Sequence, residues 1–133
     1  MTLHGEVSHD AAMAEQRKAQ VLLLLTWNNP EEKGVYTGKL FEYLAARRPI
    51  LSLGYLEGGV VKELLDQTQA GVHTGNEDEL KAAILEAYGE YKESGSVRYR
   101  GIDAEIMKFS HKEMAMNFAE VFKNAVREKD KIR

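Results

Sequence analysis

The 133-residue chain contains no cysteine, only two prolines and a single tryptophan. Without cysteine it can form no disulfide, no thiolate metal site and no thiol nucleophile. Long apolar runs are also missing: the longest, residues 21–25, is far shorter than the roughly 20 residues that a membrane-spanning helix needs. The first five residues lack the basic and then apolar order of a signal peptide. We therefore expect neither a transmembrane segment nor a secretory leader.

Charge and histidine patterns exclude further classes of protein. The net charge of −3 gives no general attraction to nucleic acid or anionic lipid. The four histidines show no spacing typical of metal ligands, so we expect no metal site. The chain also has no P-loop, no Gly-x-Ser-x-Gly elbow and no Gly-x-Gly-x-x-Gly fingerprint. These absences argue against a P-loop ATPase, a serine hydrolase and a Rossmann dehydrogenase, and no catalytic residue can be assigned.

The apolar pattern predicts strands that alternate with helices. Residues 21–26 form a continuous apolar run, which is typical of a strand buried on both faces. Two shorter strands are predicted at 50–53 and 70–73. Helices are predicted at 8–18, 37–47, 59–66, 76–91 and 110–126, with residues 127–133 as a frayed tail. Ser8 and Thr37 are the predicted caps of the first two helices, and the last two are predicted to begin with capping boxes, Asn76 with Glu79 and Ser110 with Glu113. This order indicates an α/β fold with a parallel sheet, in a single domain over residues 1–133.

The segment 35–54 carries the strongest functional signal. It comprises a loop, a helix opened by Thr37 and Gly38, a stop at Pro49 and an apolar strand, and Glu42 lies one turn after Gly38 on the same helix face. A helix N-terminus presents free amides and a positive dipole end to phosphate. A carboxylate one turn deeper can accept hydrogen bonds from sugar hydroxyls. Together these groups outline a nucleotide-sugar site, although an isolated helical glutamate is more often a solvated side chain.

Residues 38–45, Gly-Lys-Leu-Phe-Glu-Tyr-Leu-Ala, followed by Arg-Arg-Pro-Ile-Leu at 47–51, resemble the donor-binding motif of retaining GT-B glycosyltransferases. Segments 7–9 and 19–25 before the motif, and 59–65 and 70–72 after it, keep the order of that family. The resemblance spans roughly residues 4–125. It implies a three-layer Rossmann-like parallel sheet that forms part of the C-terminal, nucleotide-sugar-binding lobe of a GT-B fold.

The resemblance also implies roles for five residues. Glu42 would bind the ribose hydroxyls of the donor nucleotide. Tyr36, Thr37 and Gly38 would present backbone amides to the diphosphate, and Lys39 would add positive charge there unless it is simply a solvated lysine.

The position eight residues before Glu42, where the family often has a second acid that contacts the transferred sugar, is Gly34. The absence of this acid argues against the usual recognition of the sugar and against activity. The nucleobase, the sugar and the acceptor are not specified by the sequence.

The implied reaction transfers a sugar from a nucleoside diphosphate sugar to a hydroxyl, with retention at the anomeric carbon and without a cofactor. The acceptor lobe would belong to a preceding part of a longer, cytoplasmic parent enzyme, which could also make any peripheral membrane contact. We therefore expect the isolated chain to be inactive. The alternative is a stand-alone α/β ligand-binding or regulatory module. A receiver-like module is disfavoured, because Trp27, Asn28 and Asn29 follow the first strand where a receiver has an acidic cluster.

The last predicted helix has more apolar side chains than one buried face needs. We expect part of this surface to pack on a neighbouring lobe of the parent enzyme, and ordinary core packing within the domain is the alternative. The residues concerned are Met107, Phe109, Met114, Met116, Phe118, Val121 and Phe122.

Overall fold

The computed structural model describes residues 2–26, 36–54 and 59–131, with the side chains of the last helix described as far as Glu128. The chain forms two compact units, Met1–Ile102 and Asp103–Arg133. The predicted loop residues Trp27, Asn28 and Asn29, together with Gly34, lie outside the described residues.

The first unit alternates helices with strands, as the apolar pattern predicts. Its elements are α1 (His9–Lys18), β1 (Leu22–Leu25), α2 (Gly38–Ala46), β2 (Ile50–Leu53), α3 (Val60–Thr68), β3 (Gly71–Thr74) and α4 (Glu77–Ser94). The three strands form one parallel sheet in the order β1-β2-β3, with Leu22 aligned to Ile50 and Ile50 to Gly71. The predicted α/β fold with a parallel sheet is thus confirmed as a small, open, three-stranded sheet flanked by helices.

One face of the sheet is covered by helices. Parallel crossovers are almost always right-handed, so α2 and α3 lie on the same side of a sheet whose strands follow chain order. On that side Leu22, Leu24 and Ile50 are buried. The helices bury their own apolar side chains against them, namely Leu40 and Leu44 of α2 and Val61, Leu64 and Leu65 of α3. The core of the unit therefore lies between β1–β3 and these two helices.

The opposite face of the sheet, which we call the open face, is exposed along β1 and at Val72, while Leu51 of β2 on the same face is buried. Leu23 and Leu25 of β1 are 53% and 66% exposed, and Val72 of β3 is 50% exposed. The prediction that the first strand is buried on both faces is therefore wrong. The physical reason is that the described elements cover β1 on one side only. A continuous leucine run can occur in a strand that is covered on one face or on both.

The second unit contains α5 (Asp103–Met107) and α6 (His111–Lys131). The predicted capping at Ser110 is confirmed, because its Oγ accepts the backbone N–H of Glu113 at 3.3 Å. α6 continues beyond Val126 through residues predicted to fray. Six of the seven apolar side chains named above are exposed, by 43% to 68%, and Phe109 is half-buried. Ordinary core packing of all seven is therefore not observed.

Among the helices that the structure describes, none combines the length and the apolar character needed to cross a membrane.

Candidate functional site

The carboxyl ends of the three strands define one edge of the sheet. α2, α3 and α4 follow β1, β2 and β3 in the chain, so all three helices begin at this edge. In open α/β sheets, ligands bind in the crevice outside the carboxyl ends of the strands. This edge is therefore where a ligand site is expected.

The helix N-termini at this edge differ in how their amides are satisfied. At α4, the Asn76 side chain accepts the backbone N–H of Glu79 at 2.9 Å, and Glu79 Oε2 accepts that of Gly75 at 2.7 Å. The Asn76 bond confirms the predicted cap, whereas the Glu79 carboxylate bonds the residue before Asn76 and not the cap residue of the predicted capping box. At α2 the cap residue Thr37 makes no side-chain capping bond, and at α3 the cap residue Gly59 has no side chain. The first turns of α2 and α3 therefore lack the cap that closes α4, which leaves amides for an anion.

The predicted phosphate-binding residues form a contiguous stretch at the start of α2. Thr37 is half-buried, while Gly38 and Lys39 are exposed. A Cβ placed on Gly38 would meet no described atom within 4 Å, so space is open beside this residue. The Tyr36 ring packs edge-on against Phe41, with 5.8 Å between ring centroids. This contact anchors the chain just before the helix.

Glu42 lies one turn into α2 and is half-buried. Its Oε2 accepts a hydrogen bond of 3.3 Å from Gln16 Nε2 on α1. The carboxylate thus has a protein partner at the contact between α1 and α2. The Oε1 of Gln16 is buried and makes no hydrogen bond within the described chain. A role for Glu42 in ligand binding stays a prediction, and the bond to Gln16 gives this residue a structural role as well.

Sequence reasoning did not identify a buried polar pair on the central strands. Ser52 Oγ lies 3.1 Å from His73 Nδ1, and Ser52 is fully buried. Burial lowers the pKa of His73, with a smaller lowering contribution from Lys62. The nearby backbone of Gly54 raises this pKa by a smaller amount, so the neutral imidazole is favoured on balance. The only sequence signal was a serine inside an otherwise apolar strand.

Two threonine hydroxyls, one just after β1 and one in β3, donate hydrogen bonds to β2 near its carboxyl end. Thr26 Oγ1 donates to the Leu53 carbonyl at 3.1 Å, and Thr74 Oγ1 donates to the Ser52 carbonyl at 3.0 Å. A Cβ on Gly54 would overlap the Thr26 hydroxyl, so this residue has little room for a side chain. The edge is therefore rich in hydroxyl groups, but these hydroxyls already donate to backbone carbonyls.

Within the described ranges, no group of three or more histidine, aspartate or glutamate side chains is arranged to hold a metal ion. The chain matches no protein-family model, and no characterised protein or solved structure is significantly similar to it. The assignment of function therefore rests on the residues and on their geometry.

Proposed function

We propose that this chain is the nucleotide-sugar-binding part of a retaining glycosyltransferase, a partial C-terminal lobe of a GT-B fold. The observation that carries the proposal is the uncapped N-terminus of α2 at the carboxyl edge of a parallel sheet, with a carboxylate one turn further along the helix. A diphosphate would accept hydrogen bonds from the amides of residues 36–38. The exposed ammonium group of Lys39 would add positive charge beside it.

The carboxylate of Glu42 would accept hydrogen bonds from the ribose hydroxyls of the donor. The hydrogen bond that Gln16 gives this carboxylate is long, at 3.3 Å. A ribose diol offers two hydroxyl donors, which can form shorter, charge-assisted bonds to a carboxylate. A ribose would therefore replace Gln16 as the partner of this carboxylate, and Gln16 would hold Glu42 in place until a donor arrives.

Two exposed apolar surfaces support the view that the chain is part of a larger lobe. Parallel sheets are nearly always covered on both faces, yet the open face of this sheet exposes Leu23, Leu25 and Val72. α6 likewise exposes Phe118 and Phe122. In the proposed enzyme, further layers of the parent protein would cover such surfaces. The acceptor would bind to a lobe that this chain does not contain, so the isolated chain should transfer no sugar.

The alternative function is a stand-alone α/β ligand-binding or regulatory module. The hydrogen bond between Gln16 and Glu42 favours it, because this bond already satisfies one oxygen of the carboxylate without a ligand. In that case Glu42 holds α1 against α2 and contributes nothing to nucleotide affinity.

A ligand panel tests the glycosyltransferase proposal. Purified chain is titrated with UDP-, GDP-, ADP- and TDP-sugars by calorimetry, with the matching nucleoside monophosphates as controls that lack the second phosphate. The glycosyltransferase proposal predicts saturable binding of one diphosphate class and much weaker binding of its monophosphate. Absence of binding by all four classes, or equal binding of the two phosphate forms, would contradict it.

A further inference from the structure

A cavity of about 160 Å³ lies in the first unit, at the end of the sheet opposite the candidate nucleotide site. Its floor includes the beginnings of β2 and β3, with Leu51 and Val72 side by side in the sheet register. α4 forms one wall through Ala83 and Ala87. Val97, which follows α4 in the chain, also lines the cavity, together with Arg98 and Arg100. The side chains that surround the space are thus mainly apolar.

The cavity exists because α4 presents small residues to the sheet. Ala83 and Ala87 are four positions apart, so they share one face of the helix. Alanine side chains leave space above Leu51 and Val72 that larger residues would fill. The space is open to solvent on one side, since Val72 in its floor is 50% exposed, and its volume is close to that of an enclosed apolar cavity of about 150 Å³ that binds benzene in another protein. This one is therefore large enough for a single aromatic ring or a short branched aliphatic chain.

The polar part of the lining contains two acids and two arginines. Glu90 pairs through Oε1 with the guanidinium of Arg100, and its Oε2 accepts the backbone N–H of Arg98 at 3.0 Å. These contacts lower the pKa of Glu90, and Glu90 in turn raises the pKa of Arg100. Glu86 acts on the same Arg100 through space. Both acids therefore have Arg100 as a cationic neighbour.

Arg98 is left without such a partner. Its side chain is exposed and forms no ion pair or hydrogen bond with the described residues, and it acts on Glu90 only through space. A guanidinium group binds a carboxylate with two parallel hydrogen bonds. An apolar cavity with this group in its lining matches a molecule that has an apolar body and one carboxylate.

We propose that this cavity binds a small aromatic or branched aliphatic carboxylate. The apolar body lies between α4 and the starts of β2 and β3, and the carboxylate pairs with Arg98. This site is independent of the proposed nucleotide site, which lies at the other end of the strands.

Phenylacetate is a suitable probe, and two analogues serve as matched controls. Phenylacetamide keeps the ring but lacks the charge, and acetate keeps the charge but lacks the ring. Titration of the whole chain by ¹H–¹⁵N NMR should show saturable binding of phenylacetate, with shifts at Ala83, Ala87 and Val97. Both analogues should bind at least about tenfold more weakly, because each loses one half of the recognition.

Three variants complete the test. Arg98→Gln should weaken phenylacetate binding by about tenfold and leave phenylacetamide unchanged. Ala87→Leu should fill the cavity and abolish binding while thermal melting shows a folded chain. Lys92→Gln, which changes a cation of α4 that does not line the cavity, should bind like wild type. Absence of phenylacetate binding by the wild-type chain, or equal binding by the Arg98 variant, would overturn the proposal.

Discussion

Ser52 Oγ and His73 Nδ1 lie 3.1 Å apart on neighbouring strands, where the register of β2 and β3 places them side by side. Ser52 is fully buried, and the Nε2 of His73 is buried without a hydrogen-bond partner in the described chain. His73 as a whole is half-buried, so a charged imidazole at this position would lose part of its hydration. The pair therefore ties the stability of the sheet to the protonation state of one side chain.

We predict that His73 makes the fold less stable as the pH falls. Burial lowers its pKa below the ordinary value of 6.5, so the unfolded chain takes up a proton before the folded chain does. The stabilising effect is complete above about pH 6.5 and is lost as the pH falls from there through the lower folded pKa. Thermal melts between about pH 7.5 and 5 should show a smaller decline in His73→Gln than in wild type. His9→Gln, a change at an exposed residue of α1, should retain the wild-type decline. An equal decline in the His73 variant would refute the assignment.

Glu42→Gln should reduce donor binding and leave the fold intact. A carboxylate that holds ribose hydroxyls contributes on the order of 1.5–3 kcal/mol through charge-assisted hydrogen bonds. Because each ~1.4 kcal/mol corresponds to a factor of ten, donor affinity should fall roughly 10- to 100-fold. Titrations with the nucleoside diphosphate sugar selected by the ligand panel measure this change. Normal donor binding by the variant would instead support the structural role with Gln16.

Leu44→Ala is the matched control on the same helix. Leu44 is buried in the core on the covered face of the sheet. Its truncation should cost roughly 2–5 kcal/mol of unfolding free energy through loss of apolar contact and creation of a cavity. Chemical denaturation should show this loss, and the folded fraction should bind donor as wild type does. A melt of Glu42→Gln that resembles the melt of Leu44→Ala would show that Glu42 acts mainly in packing.

Gly89 inside α4 and Gly95 at its C-cap should respond to alanine in opposite directions. Gly89 is inside the helix, and a Cβ there would meet no described atom within 4 Å. Gly89→Ala should therefore stabilise the chain by up to about 1 kcal/mol through helix propensity. Gly95 ends the helix with φ +77°, and alanine in this left-handed conformation should cost roughly 1 kcal/mol. Denaturant midpoints of the two variants should lie on opposite sides of wild type. A shift in the same direction would show that the end of α4 differs from the structure.

The two faces of β1 should tolerate substitution differently. Leu25 is 66% exposed on the open face, whereas Leu24 is 3% exposed on the covered face. Leu25→Thr should change the unfolding free energy of the isolated chain by less than about 0.5 kcal/mol. Leu24→Ala should cost roughly 2–5 kcal/mol. Urea denaturation of both variants measures the contrast, and equal losses would indicate that the open face is packed in solution.

Local sequence signals predicted much of the fold. Ser8 and Asn76 were recognised as helix caps from residue type and spacing, and both accept the expected backbone N–H groups. Alternation of strands with helices predicted a parallel sheet. The same local reasoning failed for Leu23, because an apolar run does not reveal how many of its sides other elements will cover. That number depends on tertiary packing.

The candidate site was less accessible to sequence reasoning. The start of α2 could be located from Thr37 and Gly38, since helix boundaries are local features, but Thr37 was expected to cap the helix and its side chain makes no capping bond. The bond from Gln16 to Glu42 depends on how α1 packs against α2, and the Ser52–His73 pair depends on strand register. Neither arrangement has a short-range signature. The sequence therefore indicated where a ligand could approach, but not which side chains are hydrogen-bonded to Glu42 and His73 when no ligand is present.

The strand order of the sheet has a consequence for biosynthesis. Each strand pairs with the strand that comes next along the chain, so β2 finds its partner β1 already synthesised, and β3 then finds β2. No pairing among these three strands has to wait for a distant segment to leave the ribosome. Because translation is vectorial and slow compared with local chain closure, the sheet can assemble co-translationally from β1 onward. A stalled nascent chain from which α3 has fully emerged outside the ribosome should therefore already protect the amides shared by β1 and β2 from hydrogen exchange.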